Sequence, residues 1–328
     1  MTIAARSEAS QDLVALGAAL SERRPLGDRA FHVLALGSGL LVLVILTLIV
    51  TSTARQSTLW FTTVGWQGVF SPTWDPASGH YGALAFIYGT IVTAVIAIVI
   101  AVPLSIGIAL LLTEVASPWL ARPIVSVIDL LAVVPSVVFG LWGFLVFGPW
   151  IAGFYSAVAS AVKDVPVLSA LFGPPTGGLS FFTAGVILAV MIMPIVTSLS
   201  REVFATVPAI DKEGAYALGA TRLEMIQGAV WPHSRGGVVG AVLLGVGRAM
   251  GETIAAALVI GSSATITSHL FAPGYSMPSV VANEFGEASG VQRSALIGLG
   301  VLLFVLTIII NLSARLVLQR AAQRPGGA

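Results

Sequence analysis

Six stretches of the chain are apolar over the ~20 residues that an α-helix needs to cross about 30 Å of hydrocarbon: Phe31 to Val50, Ala83 to Leu112, Ile124 to Phe154, Leu179 to Leu199, Val238 to Gly261 and Ser294 to Leu316. Each predicts a transmembrane helix. The second and third are longer than a span requires, which predicts tilt, an interfacial extension or a break, with Pro103 and Pro135 as the kink positions. The first stands behind a mixed-charge segment and lacks a small-residue cleavage site, so it is expected as an uncleaved anchor. Between spans, the stretches at about 51–82, 155–178 and 262–293 are rich in Gly, Pro, Ser and aromatics and read as ordered turns at a membrane surface. The exception is 201–237, a polar and charged island between two long apolar runs.

Composition gives the same picture: 56% of residues are apolar and 9% charged, against roughly a quarter charged in a soluble domain. The chain is expected to be an all-α integral membrane protein of six transmembrane helices. A net charge of +1 gives no reason to expect nucleic acid, and the absence of cysteine removes disulfides, thiolate metal sites and cysteine nucleophiles together. With the N-terminus in the cytoplasm, twelve of the sixteen basic residues fall inside and only Arg55, Lys163 and Arg293 outside, with Arg248 in a span. That bias places both termini and the island on the cytoplasmic side. The expected layout is a tail over 1–30, a first helix over 31–53, an extracytoplasmic loop over 54–82, a transmembrane domain over 83–318 containing the 201–237 loop, and a tail over 319–328.

Within the island, Asp211 and Glu213 open a short helix with acids in its first turn, and Gly219 is placed to end it. Thr221, three residues before Glu224, fits a capping box that opens a second short helix running to Trp231 and Pro232. Two short helices joined at a glycine make a rigid knob suited to a groove on a soluble partner.

Glu213-Gly214-Ala215, three residues, Gly219, nine residues and then Ala229, Val230, Trp231 and Pro232 resemble the EAA motif of ABC-importer permeases. Gly214, Ala229 and Trp231 depart from its consensus. The resemblance implies a type I ABC-importer permease fold in which this loop is the coupling helix, with Glu213, Gly214, Ala215, Gly219 and Pro232 seated in an ATPase subunit. Leu218 to Arg222, Gly236 to Thr253, Met277-Pro278, Val281 to Ala288 and Val134 to Gly143 are similar to the PstC-type permeases of the bacterial phosphate-specific ABC importer. That likeness runs over about 84–318. It implies inward transport of inorganic phosphate across a bacterial plasma membrane, with a PstA-type permease as heterodimer partner. It further implies a PstB-type ATPase dimer holding ATP and Mg, and a PstS-type phosphate-binding protein outside. No cofactor and no metal is expected on this chain, and its remaining surface meets membrane lipid.

Arg248 and Glu252 are four apart, within reach of each other on a helical span, and an ionisable pair inside a membrane is a functional hypothesis by default. A planar guanidinium donates to two phosphate oxygens at once, and Glu252 would hold it between substrates. The bland reading is a permanent salt bridge that fixes the span. Asp129 is a weaker pathway candidate against an interfacial acid or a partner for Arg122. Glu284 and Glu287 on the external side would repel an anion, so they are assigned to gating or to docking the binding protein. Gly236 with Gly240, and Gly247 with Gly251, present smooth faces for helix packing. Ser262, Ser263 and Thr265 offer hydroxyls at an external vestibule, although such residues usually bond the backbone.

The chain carries no GxxxxGK[ST] loop, no catalytic nucleophile motif, and four scattered histidines, His32, His80, His233 and His269, with no ligand spacing. It is therefore expected to be a permease and not an enzyme. Alternatives are a PstA-type partner, a permease for sulfate or molybdate, and, more distantly, a secondary transporter, which the single EAA-like loop disfavours.

Overall fold

The computed structural model describes residues 26–175 and 177–322. The expected 1–30 tail therefore lies mostly outside the described residues, as do Arg6, Arg23, Arg24 and Arg324. Two units separate, 1–55 and 56–328. The described part of the first is one helix, α1 (Leu26–Gln56, whose last residue belongs to the second unit). Along α1, Leu40, Leu43 and Leu46 are all more than half exposed, the surface of a helix whose solvent is hydrocarbon.

The second unit opens with two short helices, α2 (Thr58–Thr63) and α3 (Gln67–Phe70). A two-residue hairpin follows, β1 (Trp74–Asp75) antiparallel to β2 (His80–Tyr81), where the sequence suggested only turns. The indole of Trp60, fully buried, donates to Tyr81 O at 3.0 Å. Its ring lies so close to Gly298 that a Cβ there would come within 2.4 Å.

The centre is the pair α4 (Leu84–Leu110) and α9 (Phe181–Ala205), joined by small residues that let two backbones approach: Ala97 and Ala101 on one side, Ala184 and Ala189 on the other. Ser105 Oγ donates across to Met193 O at 3.1 Å. Helix α4 passes through Pro103 uninterrupted and ends in a wider π-helical turn, Leu111–Val115.

The expected third span is two helices. Pro135 has no N–H and forces the preceding residue to be extended, so α5 (Pro118–Val133) stops and Val134 adopts ψ 127°. A new helical run starts at Ser136 as α6 (Ser136–Trp142), widens at Gly143–Phe147 ahead of Pro149, and continues as α7 (Gly148–Val162). A short α8 (Pro166–Leu171) follows, so much of the expected external loop is helical.

Beyond the island, described below, the chain forms α12 (Trp231–Gly251), α13 (Ile254–Val259), α14 (Met277–Glu284) and α15 (Gly290–Ala322). The expected fifth span, Val238 to Gly261, is thus not one helix. Gly251 is a weak helix residue, and Glu252 turns extended at ψ 123° and accepts from Ala255 N–H at 3.3 Å, capping α13. Among the described residues, five segments are long and apolar enough to cross a membrane: Gly27–Thr63, Leu84–Val115, Ser136–Val162, Phe181–Ala205 and Gly290–Ser313.

The chain from Gly261 to Met277, expected as an external loop, packs directly on the starts of α4 and α9. Phe181 N–H donates to Ala272 O, and Met277 N–H donates to Thr90 Oγ1 at 2.9 Å. At Gly89 a Cβ would lie 2.0 Å from Tyr275 O. Gly89→Val is therefore expected to destabilise the fold by about 1–3 kcal/mol or more, seen as a lower melting temperature in detergent. Gly107→Val, at a helix position with open space around it, is expected to leave the melt nearly unchanged, and equal melts for both would refute this packing argument.

Candidate functional site

The candidate residues fall at three levels along α9, whose 25 residues span roughly 37 Å. At its C-terminal end the chain leaves through Pro208 into α10 (Ala209–Ala217), the first helix of the island. Gly219 at φ +84° ends it with two bonds, Gly219 N–H to Tyr216 O at 2.9 Å and Ala220 N–H to Ala215 O at 3.1 Å. That pairing is a Schellman motif, which needs a residue free to take positive φ.

Thr221 then caps α11 (Arg222–Met225) with a reciprocal capping box: Glu224 N–H donates to Thr221 Oγ1, and Thr221 N–H donates to Glu224 Oε2 at 2.7 Å. The backbone N–H of Thr221, followed by its hydroxyl, holds the Glu224 carboxyl below the ordinary carboxylate range. The cap is thus complete above ordinary carboxylate pKa values and is lost as pH falls through the depressed value of the folded state.

The second helix does not stop at Trp231 and Pro232 as the sequence suggested. It widens into a π-helical turn at Ile226–Val230 and runs on into α12. Trp231 N–H bonds Ile226 O, five residues back, so the wider turn comes immediately before the proline that cannot donate.

What holds the knob in place is a contact with no local signal. Lys212 Nζ meets Glu114 Oε1 at 2.6 Å, with 5% of the Glu114 side chain exposed, tying α10 to the end of α4. Beneath lie buried Phe204, Val207, Met225 and Val230. Outward, Glu213 is exposed, Gly214 meets no atom, and Leu218 and Ile210 are 91% and 75% exposed. The knob therefore presents apolar side chains on a polar loop.

At mid-depth, α12 lies antiparallel on α9, with Gly237 against Val203 and Gly245 against Val196. This register sets Arg248 level with about Met193, halfway along α9. The glycines that sit in this packing are Gly237 and Gly245. A Cβ at the expected packers Gly236, Gly240, Gly247 or Gly251 would meet nothing among the described residues. Arg248, in the last turn of α12, is exposed. It forms no ion pair with Glu252, whose carboxylate is turned to α13 because the helix has already ended, so the expected pairing on one helical face is not made. Asp129 lies near the end of α5, not its start, and accepts from Ser198 Oγ at 3.0 Å instead of pairing with Arg122.

At the far end, Glu284 accepts from Trp74 Nε1 at 3.0 Å and from Gln292 Nε2 at 3.3 Å, which ties the hairpin to α14 and α15, while Glu287 is exposed. The hydroxyls named above do not bond the backbone: Ser263 Oγ and Thr265 Oγ1 pair at 3.3 Å, and Asn283 donates to Ser262 Oγ. Ser262 adopts φ +56°, unusual for a residue with a side chain.

Residues 101–323 match the family described as binding-protein-dependent transport system inner membrane component. A phosphate transport system permease protein PstC of Haemophilus influenzae is 43% identical over 288 residues, 88% of this chain and 91% of that one. The PstC of Pasteurella multocida is 42% identical, over 87% of this chain and 89% of its own. The PstC of Mesorhizobium japonicum is 42% identical over 93% and 94%. Among solved structures, a chain from an inward-facing MetNI methionine ABC transporter superposes at a TM-score of 0.53 and 14% identity, over 77% of this chain and all of that one. At that identity the likeness concerns the fold alone.

Proposed function

The chain belongs to the binding-protein-dependent transport system inner-membrane components, within the PstC phosphate permeases, and from that premise we propose that it forms half of the path by which inorganic phosphate enters a bacterial cell across the plasma membrane. The likeness to PstC permeases along most of the chain carries this reading over the PstA-type and sulfate or molybdate alternatives. ATP hydrolysis and its Mg belong to a separate PstB-type dimer. A PstA-type permease completes the path, and a PstS-type protein delivers phosphate from outside.

In this reading the 209–221 knob is the coupling element. Glu213, Gly214, Ala215 and Gly219 meet the ATPase, while Pro232 and the wider turn before it pass the motion into α12. Exposed Leu218 and Ile210 supply the apolar anchors that docking on a soluble protein needs. This end then faces the cytoplasm, with both termini.

Arg248 is assigned to the path. A guanidinium facing lipid at mid-depth costs at least about 3 kcal/mol, so the exposed Arg248, flanked by the open Gly247 and Gly251, must look onto water or the partner permease. Those glycines let a second backbone or a hydrated anion come close. Glu252 supports the site by fixing the break that ends α12 below Arg248, and Asp129 lines the same half of the membrane. Glu284 holds the external hairpin, leaving Glu287 to meet the binding protein.

The test is phosphate uptake in a strain lacking only this chain. Uptake at low external phosphate is expected to fall to background and to return when the chain is supplied. Undiminished uptake of phosphate, with loss of another oxyanion, would overturn the substrate.

A further inference from the structure

A cavity of about 510 Å³ opens between the end of α4, the first half of α5 and the end of α9. Two arginines are among its lining residues, Arg122 from α5 and Arg201 from α9, and among the described residues neither forms an ion pair. The remaining wall carries Leu112, Ala121, Val125 and Ala205 beside the hydroxyl residues Thr113 and Ser126. The nearest acid on the same face of α5 is Asp129, seven residues beyond Arg122 and held by Ser198. The nearby Glu114 is taken by Lys212. The cavity is thus a positively charged mouth on an apolar pocket, at the end where two membrane-length helices, α4 and α9, finish together.

We propose that this cavity binds the phosphate group of an anionic phospholipid, with its acyl chain along the apolar wall. Two guanidiniums on separate helices suit a tetrahedral oxyanion, each donating from a planar fork. Basic pockets between spans on the cytoplasmic side are where anionic head groups settle. Apolar walls favour a lipid over free phosphate, which brings no chain to fill them. Trp119 at the start of α5, 85% exposed, suits the membrane interface, where indoles concentrate. Bound there, the lipid would brace α5 against α9 one helical step from the coupling knob.

The cytoplasmic placement rests on the proposed function, but the test reads binding and does not use transport. The complete transporter is purified in detergent and assayed by native mass spectrometry with phosphatidylglycerol and phosphatidylcholine. Wild type is expected to retain phosphatidylglycerol preferentially. Arg122→Gln with Arg201→Gln is expected to lower that retention on the order of tenfold, since each surface arginine contributes about a factor of five or more to anionic-lipid binding. Ala205→Phe, which fills the pocket and leaves the charges in place, is expected to lower it as well. Equal retention of both lipids, or retention unchanged in both variants, overturns the proposal. Displacement of phosphatidylglycerol by millimolar inorganic phosphate assigns the cavity to a free anion and overturns the lipid. Absence of any lipid preference in the wild-type transporter, with its phosphate uptake intact, would strike this site and leave the transport reading standing.

Discussion

Arg248→Gln is expected to abolish phosphate uptake while the transporter still assembles. Arg248 lies in the last turn of α12 with its side chain exposed, so it does little packing work that glutamine would forfeit. Its helix is held against α9 at Gly237 and Gly245, and the substitution leaves those glycines untouched. What is lost is a charge and a two-pronged donor. Hydrogen bonds to charged groups are worth about 1.5–3 kcal/mol each, so losing a bidentate contact to phosphate slows uptake by roughly a hundredfold or more. Arg248→Lys keeps the charge without the fork and is expected to retain partial uptake. The measurement is radiolabelled phosphate uptake alongside co-purification of the partner subunits. Normal uptake by Arg248→Gln removes Arg248 from the path, and failure to assemble instead makes it an interface residue.

The absence of an Arg248–Glu252 ion pair sharpens this expectation. Four-residue spacing implies a pair only if the helix continues, and here it ends at Gly251, with Glu252 spent on capping α13. Among the described residues the guanidinium therefore has no ion-paired counter-charge that would have to be displaced before an anion binds.

Local chemistry was legible in the sequence wherever it closes within a few residues. Gly219 as a left-handed stop and Thr221 with Glu224 as a reciprocal cap are both readable because each motif is complete within four or five positions. Apolar run length found the membrane-length segments, but it cannot see a break inside an apolar run. The stops at Val134 and Gly251 are decided by a missing N–H and by a competing carboxylate cap, and neither lowers hydropathy. The glycines of α12 show a different limit: spacing identifies faces, but which face meets α9 depends on tertiary register, so Gly237 and Gly245 pack while Gly236 and Gly240 stay open. The Lys212–Glu114 bridge joins positions almost a hundred residues apart and left no trace in any local pattern.

The second large effect is expected at Gly219. Valine there must hold φ near +84°, where its Cβ is crowded against the neighbouring backbone, at a cost of roughly 1–2 kcal/mol or more. The chain is expected to escape by unwinding the last turn of α10, releasing the bonds to Tyr216 and Ala215 and swinging Leu218 away from its position. The knob would survive as a polar loop but not as a rigid one, because its anchorage through Lys212 and Glu114 lies at the other end of α10. A soft connection cannot transmit a stroke, so Gly219→Val is expected to leave ATP hydrolysis running while phosphate uptake drops by about tenfold or more in reconstituted vesicles. Glu213→Lys, a charge reversal on the exposed face, is expected to uncouple in the same way without touching the fold. Asparagine tolerates positive φ, so Gly219→Asn is expected to keep most of the coupling. Uptake and hydrolysis both unchanged in Gly219→Val would show that the knob is not the coupling element. Loss in Gly219→Val with equal loss in Gly219→Asn would mean that the site demands glycine for close approach to a partner and not for its backbone angle.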